Sequence, residues 1–381
     1  MNIPVNFRGG KLMIRWILIV TICLSALPSI AGDYKVTHLE RTRVFEGTTL
    51  LADMSDPRQP KVVEVDFNGK VLWKFKPPGN LRGAVLDAAK LGNNNILITI
   101  RGSGIYEISR KGKVVWAHKD PEASHDADRL PNGNTLYNLG WQKKGEDVVR
   151  EVDPSGKIVW SWKGLTDYDR EPFARIDSEG WMHVNAVSRL ENGNTLVSIR
   201  NFNTVAEVGP DGRVVRDWTF RGKDKRTGVQ TRGKIKGERN HEPEILENGN
   251  MLLALRRPNR FVEFDLETRH IVWSWTHPGG GRQLRTNREA NRLPNGNTLG
   301  SAGNKLIEIA PDGTIVWQMI APPWRQKSSQ ISQGDPHRCR WESLRRIGPY
   351  LWKIRQRPVS GFQNKETCAT LGFIIKFSRE I

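Results

Sequence analysis

One phrase recurs along this chain and narrows what it can fold into. It reads Leu-Pro-Asn-Gly-Asn from Leu130 and from Leu293, and Leu-Glu-Asn-Gly-Asn from Leu190 and Leu246. A degraded copy, Leu-Gly-Asn-Asn-Asn, starts at Leu91. Roughly 25 residues after most copies an apolar run follows and closes on a Gly turn and Trp, as in the stretches ending at Trp160 and Trp317. Asn-Gly between apolar runs signals a type I′ hairpin. The alternation in Ile-Val-Trp-Ser-Trp predicts strands with one buried face. A period of about 40–58 residues built from such hairpins predicts stacked β units. Six can be laid out, at 38–73, 86–116, 125–162, 183–218, 241–275 and 288–317. The fold expected is an all-β, six-bladed β-propeller of repeated four-stranded units; a β-helix would need a shorter, stricter period. Ring closure is expected from a strand in the stretch ahead of the second unit.

The ends of the chain do not follow this grammar. Arg8, Lys11 and Arg15 precede an apolar run from Trp16 to Leu27, and Ser29-Ile30-Ala31 forms a small-x-small cleavage site. Residues 1–32 therefore read as a signal peptide, with Met13 an alternative start. The run is short for a membrane span, so the expected product is exported, periplasmic or secreted, without a stable span after cleavage. The propeller is expected over 33–322. Residues 323–381 form a basic tail with twelve Lys/Arg against four Asp/Glu, a large share of the net charge of +18. Cys339 and Cys368 both lie there, and the repeats hold no Cys, so disulfides do not hold the main fold. A basic exported chain without a nucleic-acid motif is expected to meet anionic small molecules or envelope polymers rather than nucleic acid. Two insertions, 163–180 and 221–240, lengthen the links ahead of the fourth and fifth units.

Aligning the units on the Leu of the phrase exposes a polar column five residues earlier: Leu86, His125, Asn185, His241 and Arg288. His183 precedes Asn185 by two residues and shares its face if strand alternation holds. A second column, six residues after the final Asn, reads Arg101, Gly140, Arg200, Arg256 and Gly303. The innermost strand of every blade starts at the central channel, so equivalent positions converge there. Three His could bind Zn²⁺. Arg200, Arg256 and Arg288 argue instead for an anion with several oxygens, and no metal or other cofactor is expected. Such a set suits transfer of a sulfuryl or phosphoryl group to a His nitrogen. The lack of a carboxylate cluster for Mg²⁺ favours sulfuryl. Asp126 and Glu242 each follow a channel His and are expected to hydrogen-bond neighbouring backbone.

Trp181-Met182-His183-Val184-Asn185, with Ser198-Ile199-Arg200, resembles the bacterial arylsulfate sulfotransferase family, as do His125-Asp126-Ala127 and Asn240-His241 ahead of their Asn-Gly-Asn phrases. The resemblance spans about 62–317. It implies a six-bladed propeller that moves sulfate from an aryl sulfate donor to a phenolic acceptor, without a nucleotide sulfate, through a sulfated His. Carried over by motif, His241 is the nucleophile and His125 the acid/base. His183, Asn185 and Arg200 bind sulfate, and the columns add Arg288 and Arg256. No N-terminal β-sandwich like that of the best-known periplasmic members is expected ahead of the first unit, and no oligomeric state is assigned. Two other readings compete. One is a non-catalytic exported propeller that binds an anionic ligand or envelope partner. The other is a quinoprotein dehydrogenase, which would need Ca²⁺ carboxylates and more blades.

Overall fold

The computed structural model describes residues 34–56, 58–79, 81, 83–176, 179–220 and 239–321, with the strand Ile374–Ile375. Residues 1–32, where a signal peptide is expected, the remainder of the tail with Cys339 and Cys368, and most of the 221–240 insertion lie outside the described residues.

Every Leu-x-Asn-Gly-Asn phrase closes the hairpin between the first and second strands of a blade. The turn is not the expected type I′. Gly133, Gly193, Gly249 and Gly296 have φ of 81–87°, while the Asn before each is not left-handed. The Leu130 carbonyl accepts from Gly133 at 2.9 Å and the Leu130 N–H donates to Asn134 at 2.8 Å. This is a type I turn followed by a left-handed residue. Pro131 and Pro294 suit the first central position of this type I turn by their fixed φ, and the copies with Glu191 and Glu247 there take the same geometry. In the degraded copy Asn94 takes the Gly position with φ 68°.

Six sheets result. The second blade runs Val85–Lys90, Ile96–Ile100, Gly104–Ile108, Val114–His118, and the third Ser124–Arg129, Thr135–Asn138, Val149–Val152, Ile158–Trp162. The fourth runs Val184–Arg189, Thr195–Ile199, Thr204–Val208, Val214–Thr219, and the fifth Asn240–Ile245, Met251–Arg256, Asn259–Phe264, Ile271–Trp275. Ala290–Arg292, Thr298–Ala302, Lys305–Ile309 and Ile315–Ile320 form the sixth. The first blade holds Thr48–Asp53, Lys61–Asp66 and Val71–Phe75, and Ile374–Ile375 of the tail pairs parallel with Thr48–Thr49 on its inner side. His38 does not open the first unit, as the sequence layout had it. Lys35–Leu39 pairs antiparallel with Ile315–Ile320 and becomes a fifth strand on the outside of the sixth blade. An edge strand offers unpaired backbone groups, and this segment satisfies them.

The repeated Trp has a structural job at every seam. Its indole N–H donates to a turn carbonyl of the following blade: Trp73 to Arg110 (2.9 Å), Trp116 to Pro154 (2.9 Å) and Trp160 to Pro210 (3.0 Å). Trp218 reaches Leu266 (3.1 Å), Trp275 reaches Gly313 (2.8 Å), and Trp317 reaches Phe67 (2.7 Å), joining the last blade to the first. The final Asn of the phrase has a second role. Asn134 donates to Glu151 at 2.6 Å, and the same carboxylate takes Arg189 of the next blade at 2.5 Å. Arg129–Glu107 and Arg292–Glu263 repeat that inter-blade pair. Nearer the axis, Asp126 accepts from Val187 N–H at 2.8 Å and Glu244 from Arg292 N–H at 3.1 Å. The backbone role expected of Asp126 is what the structure has. Innermost strands are thereby fixed against each other before any functional side chain is considered.

The 163–180 insertion is part of the core over its described residues. It carries the short helix Leu165–Tyr168, and Tyr168 and Phe173 are buried with Trp181 and Phe202. No helix among the described residues is long and apolar enough to cross a membrane.

Candidate functional site

Irregularities in three innermost strands aim the polar column. A bulge sets an extra residue against its partner strand and turns side chains off the pleat. In the third blade Ser124 faces Asn138 and Ala127 faces Tyr137, so His125 and Asp126 are supernumerary. In the fourth, Val184 faces Ile199 and Ala186 faces Ser198, which leaves Asn185 over. In the fifth the register slips just after His241. Alternation does not explain His183. That residue lies ahead of its strand with φ 48°, a left-handed conformation uncommon outside Gly. The turn, rather than the pleat, delivers its ring.

Hydrogen-bond chemistry fixes the state of two imidazoles. His183 Nδ1 donates to the Glu179 carbonyl at 2.7 Å, and a carbonyl can only accept. The lone pair is therefore on Nε2, which is buried without a hydrogen-bond partner. His241 Nε2 receives a long contact, 3.5 Å, from Arg256 Nη1; a guanidinium only donates, so this nitrogen also carries a lone pair. Both residues are closed off from water, with 3% and 2% of their surface exposed. His241, which its column assigns to the central channel, is buried there. Burial first, and then Arg256, Arg288 and Arg200, hold the pKa of His241 well below the usual imidazole range. Burial and then Arg200 do the same at His183. Both rings are neutral at pH 7.

The guanidiniums feel the same crowding. Burial, with Arg288 next, lowers Arg256 to about 9, and burial with Arg200 lowers Arg288 to about 10. Arg200 forms an ion pair with Glu179. Its Nε, the Nε of Arg288 and Oδ1 of Asn185 are buried without hydrogen-bond partners. Asn185 Nδ2 donates to the Asn240 carbonyl at 3.0 Å, pinning the residue before His241. His125 is half-buried, its ring centroid 5.0 Å from that of His183. All seven residues singled out in the sequence come together: three His, Asn185, Arg200, Arg256 and Arg288. Among the described residues no three His, Cys, Asp or Glu side chains gather as metal donors.

Sequence reasoning passed over the support around them. Trp141 packs 4.8 Å from the His125 ring, and Arg101 sits 4.2 Å over the indole. Gly140, in the second column, makes that packing possible: a Cβ there would lie 2.7 Å from His125 Nδ1 and 2.7 Å from Ser124 Oγ. The column already held Arg101 and Gly140, but their meaning depends on a neighbour, Trp141, outside it. Glu179 belongs to the insertion and left no periodic trace.

Fold and site define a six-bladed propeller with neutral imidazoles and guanidiniums gathered at its inner strands. Residues 34–223 match the model of the arylsulfotransferase (ASST) family, and over that stretch the chain belongs to this family. No curated protein matches the sequence. Among solved structures, a protein of unknown function from Bacteroides caccae shares 19% identity, with 71% of this chain and 93% of that one covered and a TM-score of 0.49. Virginiamycin B lyase from Staphylococcus aureus shares 11%, with 74% and 88% covered and a TM-score of 0.47.

Proposed function

We propose that this protein transfers a sulfuryl group from an aryl sulfate to a phenol without a nucleotide donor, through His241. The carrying observation is an imidazole held neutral, its Nε2 lone pair beside a guanidinium that can bind the group under attack. Nε2 attacks sulfur, the bond from sulfur to the aryl oxygen breaks, and the electron pair leaves on the phenolate, which takes a proton from His125. Arg200, Arg256 and Arg288 hold the sulfuryl oxygens, with the remaining amide hydrogen of Asn185. In the second half the acceptor oxygen attacks sulfur and the bond to Nε2 breaks. The phenolic proton passes to His125. His183, its Nδ1 proton committed to the Glu179 carbonyl, presents an acceptor and so belongs beside a phenolic O–H rather than a sulfuryl oxygen. With the export segment read at 1–32, the reaction takes place outside the cytoplasm.

Exposure to p-nitrophenyl sulfate without acceptor, followed by intact mass and peptide mapping, should show one added SO₃ on His241. Adduct elsewhere, or none while transfer proceeds, removes the proposed intermediate. The state of His241 also sets a pH dependence. Its folded pKa lies below the unfolded value of about 6.5, so the acid limb of kcat/KM should fall well below pH 6.5. The same sign governs stability: the unfolded chain takes up the proton first, so stability is full above about pH 6.5 and is lost as pH falls toward the folded pKa. An acid limb at or above pH 6.5 would contradict the neutral nucleophile.

A further inference from the structure

The cations near His241 outnumber what one sulfate ester needs. Arg200, Arg239, Arg256, Arg257 and Arg288 act on one another electrostatically, and among the described residues the carboxylates acting on this group are Glu179 and Glu242. An aryl sulfate brings a single negative charge, which leaves positive charge uncompensated. The surplus has a direction. His241 is buried, Arg256 and Arg239 are half-buried, and Arg257, one residue past the strand Met251–Arg256, is exposed. Arg239 is held firmly at its backbone: its N–H donates to Asn203 Oδ1 at 2.9 Å and its carbonyl accepts from Arg256 N–H at 3.3 Å. Its φ of 50° is a strained value for a non-Gly residue. Among the described residues neither the Arg239 nor the Arg257 guanidinium makes an ion pair or a side-chain hydrogen bond. The Arg239 carbonyl accepts from the N–H of Arg256, next to Arg257, so these two forks, neither with an ion-pair partner among the described residues, stand at the same end of one strand pair and match a second oxyanion.

We propose that Arg239 and Arg257 form a second anion subsite on the solvent side of the sulfuryl site, which therefore favours aryl sulfates bearing a second anionic substituent. This rests on the sulfuryl-transfer reading for the identity of the first group, and the inner Arg set serves that first group alone. A carboxylate on the ring pairs with the outer forks while the sulfate ester lies at His241.

Titration calorimetry tests this with 3- and 4-carboxyphenyl sulfate against the uncharged 3- and 4-carbamoylphenyl sulfates, which match them in size. In the wild-type protein at least one carboxylate should bind roughly tenfold tighter than its amide, the scale of a charge-assisted hydrogen bond. In the Arg239→Gln/Arg257→Gln double variant, with melting checked, that advantage should shrink below about threefold. Equal binding of carboxylate and amide in the wild type overturns the subsite, as does an advantage that survives in the double variant. The same comparison in the His241→Ala background, where no sulfuryl group can move to that imidazole, keeps binding apart from transfer. A carboxylate preference without any transfer therefore overturns the proposed reaction and leaves the subsite standing, and transfer without the preference does the reverse.

Discussion

Replacing His241 with alanine should lower turnover on the order of 10³-fold or more, because it removes the lone pair held beside Arg256. The protein should still fold. The hydrogen bond from Arg256 to this ring is long, so its removal should change stability by about 1 kcal/mol. Initial rates of transfer from p-nitrophenyl sulfate to phenol, with a thermal melt of the same preparation, separate the two effects. A variant that melts like the wild type and turns over like it would end the case for His241. Burial makes this sharper. With 2% of its surface exposed, His241 leaves a gap that is shut off from bulk water when its ring is removed.

Trp317→Ala should be among the most damaging changes to stability. The side chain is 2% exposed, packs in one core cluster with Leu51, Val65, Leu299 and Leu306, and supplies the hydrogen bond to Phe67 that joins the sixth blade to the first. Truncating a buried Trp costs about 3–5 kcal/mol. Trp317→Phe keeps most of the apolar bulk and orphans the Phe67 carbonyl, for about 1–2 kcal/mol. Trp160→Ala should cost less than Trp317→Ala. Trp160 is only partly buried, and Trp162 spans the same seam through Gly212 at 3.0 Å. Chemical denaturation of the three variants ranks them. Equal midpoints for Trp317→Ala and wild type would show that the indole does not hold that seam.

The architecture was legible because the repeat writes its inter-blade chemistry into every copy. The Trp that ends each unit and the Glu of the third strand have partners one blade away, while the final Asn of the phrase holds that Glu from within its own blade, so periodicity in sequence reported contacts in space. The hairpin type differs from expectation because the loop is longer than Asn-Gly: the Pro or Glu before it takes the first central position of a type I turn, and Gly takes the left-handed place after it. The strand Lys35–Leu39 supplies the ring closure expected from the stretch ahead of the second unit, but it does so on the outside of the sixth blade instead of opening the first, since edge pairing depends on which strand is left unpaired. Site residues emerged where the polar column broke the apolar rule, at His125, Asn185, His241 and Arg288. Their immediate partners did not. Glu179 and Trp141 act through a turn and a ring contact, and Arg239 stands one residue ahead of its strand at a backbone angle that alternation cannot foresee. The charge state of the imidazoles was likewise hidden, since it depends on burial depth and on which nitrogen faces a carbonyl.

The Trp317–Phe67 bond has a consequence for how the molecule comes apart. A linear stack of repeats has two outer members that can peel away one at a time. Here each blade has a neighbour on both sides, so fraying has nowhere to begin. Parting one boundary frees no blade until a second boundary also yields, and slow amide exchange should be spread around the whole hoop instead of fading toward either end.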